Sequence, residues 1–268
     1  MAVRIDGGVI VVTGASSGIG WAMAMELASR AKALIVIARR EQRLLQLREE
    51  LIVKNPKLIV SVRCCDLSDM TALSSTVDAI VQDFPVIDAL INNAGLADIN
   101  LFHRSKWEKL NLVLQVNIVA LTYLTRRLLP QMIERKSGGI LNVSSGFGFG
   151  WLPFFAGYVG SKHYVTAFTD CLQLELSGTG VTVSQVCPGP VRTEFEEVSG
   201  NPFMKTPKWI EITPAYCARK SIAGFAKGKP TIIPGMRSKV LLWLGALTPR
   251  WMQRFALYPL VPWVRNKL

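Results

Sequence analysis

The sequence predicts an α/β chain: a single doubly wound domain on a seven-stranded, mostly parallel sheet, with an apolar, basic extension at its C-terminus. Three observations predict it. Short apolar, β-branched runs alternate with longer stretches of helical period, as in successive strand–helix–strand units. The runs are near-continuously hydrophobic, as strands are when helices cover both faces of a sheet. No internal repeat or low-complexity linker divides the 268 residues, a length that one large α/β domain fills.

Each apolar run gives a strand: Val9–Thr13, Ala33–Ala38, Leu58–Cys64, Ala89–Ile91, Gly139–Ser144, Thr182–Cys187 and Thr231–Pro234. The intervening helical period predicts helices near Ile19–Arg30, Glu41–Lys54, Asp69–Phe84, Lys106–Glu134, Tyr158–Leu176 and Pro214–Ala226. Two segments break the rhythm. Residues 188–213 form a long connection with four prolines, and a loop of that length in a compact domain is usually a functional lid. Residues 235–268 follow the last strand and belong to no strand–helix unit, so the domain is expected to span 1–234.

Composition narrows the class. Half of the residues are hydrophobic and 19% are charged, which excludes a disordered chain. Five cysteines with no Cys-x-x-Cys spacing, and no secretory signal ahead of the first strand, point to a reducing, cytoplasmic setting. His103 and His163 alone offer no zinc-ligand spacing, so no metal is expected. No uninterrupted apolar run reaches the roughly 18–20 residues of a membrane span. The net charge of +12 is uneven: no Asp or Glu follows Glu211, whereas residues 212–268 carry ten Lys or Arg. Such a tail calls for an anionic partner.

The chemistry lies in two places. Tyr158 and Lys162 stand four residues apart, about one helical turn, so they share a helix face; Ser145 precedes Tyr158 by thirteen residues. An ammonium beside a phenol is expected to lower the phenol's pKa from about 10. The first strand runs into Gly14, Ser16, Ser17, Gly18, Ile19 and Gly20, a turn whose glycines let backbone approach a pyrophosphate at a helix N-terminus. After the second strand stand Arg39 and Arg40, where a carboxylate would accept ribose hydroxyls; guanidinium forks suit a 2′-phosphate instead.

Thr13-Gly-x-x-x-Gly18-x-Gly20, Asn92-Asn93-Ala94-Gly95, Asn117, Ser145 and Tyr158-x-x-x-Lys162 together resemble the short-chain dehydrogenase/reductase family, over about residues 8 to 235. The resemblance implies a Rossmann-type fold and an NADP(H)-dependent oxidoreductase, NAD(H) being the lesser alternative. It implies Tyr158 as general acid or base, with Lys162 holding the nicotinamide ribose and tuning the phenol. Ser145, favoured over Ser144 by its offset, would bind the substrate oxygen, and Asn117 would order a relay water. Asp66 and Leu67 would border the adenine, with Asn93, Ala94 and Gly95 lining it. Pro188, Gly189, Val191 and Thr193 would contact the nicotinamide carboxamide. Many NADP-preferring relatives carry a base where this chain has Ser17, so Arg39 and Arg40 alone point to NADP(H), Arg39 the more strongly.

Phe147, Phe149, Trp151, Leu152, Phe154 and Phe155 flank the catalytic residues, and Phe195, Phe203, Met204 and Trp209 sit in the lid. With few charges nearby, they argue for a lipophilic carbonyl or alcohol: steroid-like, retinoid-like or fatty-acyl. In the tail Arg250 and Arg254 share one helical face while Trp251, Phe255 and Tyr258 fall beside it, and Pro249, Pro259 and Pro262 exclude one continuous helix. The extension lies on a membrane surface, covers the pocket or forms a subunit contact. Nucleic-acid binding is not expected. Relatives commonly form dimers or tetramers. The rival readings are a cofactor-binding scaffold without turnover and a peripheral membrane protein of the same fold.

Overall fold

The computed structural model describes residues 3–195, 199 and 208–265. Seven parallel strands lie in the order β3-β2-β1-β4-β5-β6-β7, with β1 Val9–Thr13, β2 Ala33–Ala38, β3 Ile59–Cys64, β4 Ala89–Asn92, β5 Gly138–Val143, β6 Val181–Val186 and β7 Thr231–Ile232. The chain steps outward from β1 to β3, then returns to place β4 against the other side of β1. The register there pairs Ile10 with Ala89 and Val12 with Ile91. The direction reverses between β1 and β4, and doubly wound sheets hold ligands in the crevice beyond the strand ends at such a switch point.

Strand residues alternate between two cores. Ile10, Val12, Leu34 and Val36 point to one, under α1 (Gly18–Leu27), α2 (Glu41–Lys54) and α7 (Pro214–Ala226). Val11, Ile35, Ile37 and Leu90 point to the other, under α3 (Met70–Asp83), α5 (Leu121–Glu134) and α6 (Ala156–Glu175). This is the single doubly wound domain expected, and α2 and α7 begin and end as expected.

Three elements differ from expectation. β3 is not buried on both faces: Ile59 is 49% exposed, because the strand is outermost and has a neighbour on one side only. β7 shrinks to two residues, since Pro234 has no N–H for a ladder and only Gln185 and Val186 pair with the strand. The expected single helix 106–134 is α4 (Trp107–Leu114), a π-helical turn Gln115–Ala120, and α5. The stretch Trp107–Glu134 has the length and composition to cross a bilayer, yet Leu121, Leu124, Leu128 and Met132 are buried against the sheet.

Parallel pairing of Val191 with Ile212 ties the two ends of the long connection 188–213 together, with Arg192 N donating to Ile212 O (3.1 Å) and Ile212 N to Pro190 O (3.1 Å). Phe203 and Met204 lie outside the described residues. The extension forms α8 (Met236–Leu247), α9 (Arg250–Leu257) and α10 (Leu260–Arg265). Pro249 and Pro259 fall at the breaks, while Pro262 sits in the first turn of α10, where its missing N–H costs nothing.

Candidate active site

Every motif of the sequence converges on the crevice. At the end of β1, Thr13 Oγ1 accepts from the backbone N–H of Asn93 and of Ala94 (3.0 Å each), fastening the glycine turn to the end of β4. Asn93 Nδ2 donates to Thr13 O (2.9 Å). Gly14 has φ +65°, and a Cβ there would stand 2.8 Å from Ala94 Cα; at Gly20 it would stand 2.4 Å from Asn93 Nδ2. No side chain larger than hydrogen fits at Gly14 or Gly20. Ser17, at the N-cap of α1, makes no side-chain capping bond, so the first-turn N–H groups face the crevice without that partner. Thr193 packs against Gly18 from the far wall.

Ser145 follows β5 and caps the short turn Gly146–Gly148, its Oγ accepting from Phe147 N (3.2 Å). Ser144, its competitor, points inward, donating to Lys162 O (3.1 Å) and contacting Thr166 Oγ1 (2.8 Å). Ser144 is tied down as a buried brace. Tyr158 and Lys162 stand on α6 with the Lys162 Nζ 5.7 Å from the centre of the phenol ring and donating to Val143 O (2.9 Å). Asn117 turns inward at the π-helical turn. Its Oδ1 accepts from Leu96 N (2.8 Å), and its Nδ2 donates to Leu96 O and to Ser161 Oγ (2.9 Å each). Ser161 in turn donates to Tyr158 O (2.7 Å). Gly95 marks the convergence: a Cβ there would lie 3.4 Å from Lys162 Nζ and 3.5 Å from Asn117 Oδ1.

The electrostatics correct one expectation. Burial pushes the Tyr158 phenol up to about 12, against a smaller lowering by its hydrogen bond to Ser145. Burial likewise brings Lys162 down to about 8. The ammonium does not lower the phenol here because both groups are desolvated, and Lys162 spends its contact on a carbonyl. Tyr158 is 7% exposed, with the Phe195 ring at 5.5 Å and the edge of Phe147 at 6.3 Å. Trp151, Leu152, Phe154 and Phe155 join this apolar cluster, whereas Phe149 and Trp209 are exposed. Phe154 holds φ +74°, a conformation disfavoured for a bulky side chain, and its carbonyl accepts from Asn100 N (3.0 Å).

The two arginines have different partners. Arg39 pairs with Asp66 (3.7 Å), whose other oxygen accepts from Ser68 N and Oγ (2.9 and 2.7 Å), while Leu67 is buried beside it. Arg40 reaches the glycine turn: it donates to Ser16 Oγ (3.2 Å) and Ser17 Oγ (2.7 Å), and pairs with Glu194 (2.9 Å). Arg43, stacked on Trp21 at 5.1 Å, approaches the same carboxylate (3.7 Å). Arg40 and Arg43 hold the Glu194 carboxyl below its usual range. Glu194 is the functional candidate that the motifs missed; its one signal is its place directly after Thr193.

A family model described as short chain dehydrogenase matches residues 8–201. The chain belongs to that family. Among its relatives, human "Dehydrogenase/reductase SDR family member 7" is 34% identical over 196 residues, covering 71% of this chain and 57% of its own. The "NADP-dependent 3-hydroxy acid dehydrogenase" of Schizosaccharomyces pombe is 34% identical over 201 residues, covering 73% and 76%. The chain thus spans little more than half the length of the human relative. A solved structure, the "Short-chain dehydrogenase from Sphingobium yanoikuyae in complex with NADPH", superposes with a TM-score of 0.80 at 28% identity, over 87% of this chain and 91% of that one. Short-chain dehydrogenases are oxidoreductases with a nicotinamide dinucleotide. The cradle at Gly14 and Gly20, with the open N-terminus of α1, fits the pyrophosphate of such a molecule.

Proposed function

We propose that this short-chain dehydrogenase uses NADP(H) to interconvert a hydrophobic ketone and its secondary alcohol. One observation carries the proposal: Lys162 and Asn117 meet beside Gly95 at the switch point of the sheet, and the Tyr158 ring lies 5.7 Å from Lys162 Nζ with its hydroxyl hydrogen-bonded to Ser145. The glycine turn, Asn93 to Gly95 and the turn from Pro188 to Thr193 would hold the dinucleotide, which would supply the hydride when bound. Tyr158 donates the proton that the developing alkoxide needs, and its high pKa keeps it in that protonated form at neutral pH. Ser145 Oγ donates to the same oxygen. Lys162 places its remaining N–H groups on the ribose. Asn117 and Ser161 fix the backbone of α6 at Tyr158 and orient a relay water. The aromatic cluster around Tyr158 favours a lipophilic substrate: steroid-like, retinoid-like or fatty-acyl.

Arg40 favours NADP(H), because its guanidinium already lies over Ser16 and Ser17, beside the turn that takes the phosphates. Arg39 adds a second cation at the edge. The NADP dependence and the bound NADPH named for the two relatives above support this preference. Glu194 pairs with Arg40 (2.9 Å), so a 2′-phosphate would displace one carboxylate contact as it binds. Assembly into a homodimer or homotetramer is also proposed, and sedimentation equilibrium of the purified chain measures it.

The test is a panel of lipophilic ketones and alcohols followed at the nicotinamide absorbance with NADPH and with NADH. Turnover with NADPH is expected, and Tyr158→Phe is expected to cut it by about 10²–10⁴-fold while leaving NADPH binding within about twofold. A variant that retains most of its turnover removes Tyr158 from the role of acid.

A further inference from the structure

The C-terminal extension inverts the usual arrangement of a surface helix. In α8 the residues turned inward are Ser238 and Leu242, which pack against Gly189 and Gly146 beside the catalytic turn. Val240, Trp243, Leu244 and Leu247, spaced by three and four, form an outward stripe that is 47–64% exposed. The pattern repeats in α9. Gln253 faces inward and donates to Gly245 O and Thr248 O (2.9 Å each), whereas Trp251, Phe255 and Tyr258 face out at 70–81% exposure. Arg250 and Arg254 run beside that stripe. Folded chains rarely leave so continuous an apolar surface to water unless something covers it.

Charge decides what covers it. No carboxylate follows Glu211 in the sequence, while the three helices carry Arg237, Lys239, Arg250, Arg254 and Arg265. A second copy packed about a two-fold axis sets these cations against themselves with no acid from the segment to offset them. A layer of anionic headgroups supplies the missing charge, and the acyl boundary beneath it takes the aromatic stripe. Trp and Tyr belong at that boundary, with an apolar body and a polar tip. We propose that α8 and α9 lie in the interface of a bilayer containing anionic phospholipid, a docking surface independent of the catalytic reading above.

The experiment sediments the full chain with sucrose-loaded vesicles of phosphatidylcholine, with and without phosphatidylserine. Binding is expected on the anionic vesicles and is expected to weaken with added salt. The double variant Trp251→Ser, Phe255→Ser is expected to stay in the supernatant. Arg250→Gln with Arg254→Gln is expected to lower binding to anionic vesicles about fivefold per cation, with little change on neutral ones. All four residues are exposed, so the variants keep the fold, and circular dichroism checks that they do. A full chain that ignores every vesicle overturns the proposal, as does a Trp251, Phe255 variant that sediments as before. If the aromatic variant instead lowers the molar mass of the lipid-free protein and vesicles never bound, the face is a subunit contact.

Discussion

A phenol pushed to about 12 and an amine brought to about 8 set opposite limits on the same site. Below about pH 8 Lys162 is charged and Tyr158 protonated, the state in which the phenol can give its proton in the proposed reduction. Raising the pH through 8 removes the ammonium first, because the folded lysine titrates well below its ordinary 10.5. Reduction is therefore expected to decline above about pH 8, and alcohol oxidation, which needs the phenol to accept a proton, to keep rising; rate profiles in both directions check this. A reductive rate flat from pH 7 to 10 removes Lys162 from the chemistry. Glu194 offers a second measurement. Its carboxylate neutralises Arg40 before any nucleotide arrives, and both are about half exposed, so the pair is worth at most about 1 kcal/mol. Glu194→Gln is expected to tighten NADPH two- to fivefold and leave NADH unchanged; equal shifts for both cofactors refute the competition.

Among elements, the π-helical turn at Gln115–Ala120 joins fold to chemistry. A regular α-helix from Trp107 to Glu134 satisfies its own backbone and has no reason to aim Asn117 at Leu96; the widened turn does so, and three hydrogen bonds hold the result. Asn117→Leu keeps the volume but leaves the Leu96 N–H and carbonyl unpaired in a buried place. The expected loss is about 2–4 kcal/mol in urea unfolding, with turnover falling as well. A loss below 0.5 kcal/mol means that water replaces the amide without cost. The turn was illegible in sequence because an i→i+5 bond leaves no hydrophobic period of its own. By contrast β2 and α2 were legible to the residue, since Ala-Leu-Ile-Val-Ile-Ala and the leucines at 44, 47 and 51 carry clean periods. The exposed face of β3 was hidden because a strand's rank in the sheet is set by its crossovers. Spacing to Tyr158 favoured Ser145 over Ser144, and Ser144 is tied to Lys162 O and Thr166 Oγ1. Arg40 and Glu194 meet across 154 positions, beyond any local pattern.

At the scale of the molecule the nucleotide crevice is lined by the ends of β1, β2, β4, β5 and β6, so each half of the sheet contributes one wall. Beyond the strand ends the walls meet at Thr193 on Gly18, at Arg40 on Glu194, and at Thr13 with Asn93. A dinucleotide spanning the crevice adds contacts to both walls that the unfolded chain cannot make, so its binding energy appears as stability of the whole sheet. At a hundredfold excess over the dissociation constant this linkage is worth about 2.7 kcal/mol. For a domain of this size each kcal/mol raises Tm by about 2–4 °C, so saturating NADPH is expected to raise it by roughly 5 °C or more. NADH at the same concentration is expected to raise it less, because it lacks the phosphate that Arg40 and Arg39 would bind. Scanning calorimetry with each cofactor, and with Arg40→Ala, reads the difference directly. If the two cofactors shift Tm alike in the native chain, the arginines do not select the phosphate; if neither shifts it, the crevice does not hold a dinucleotide.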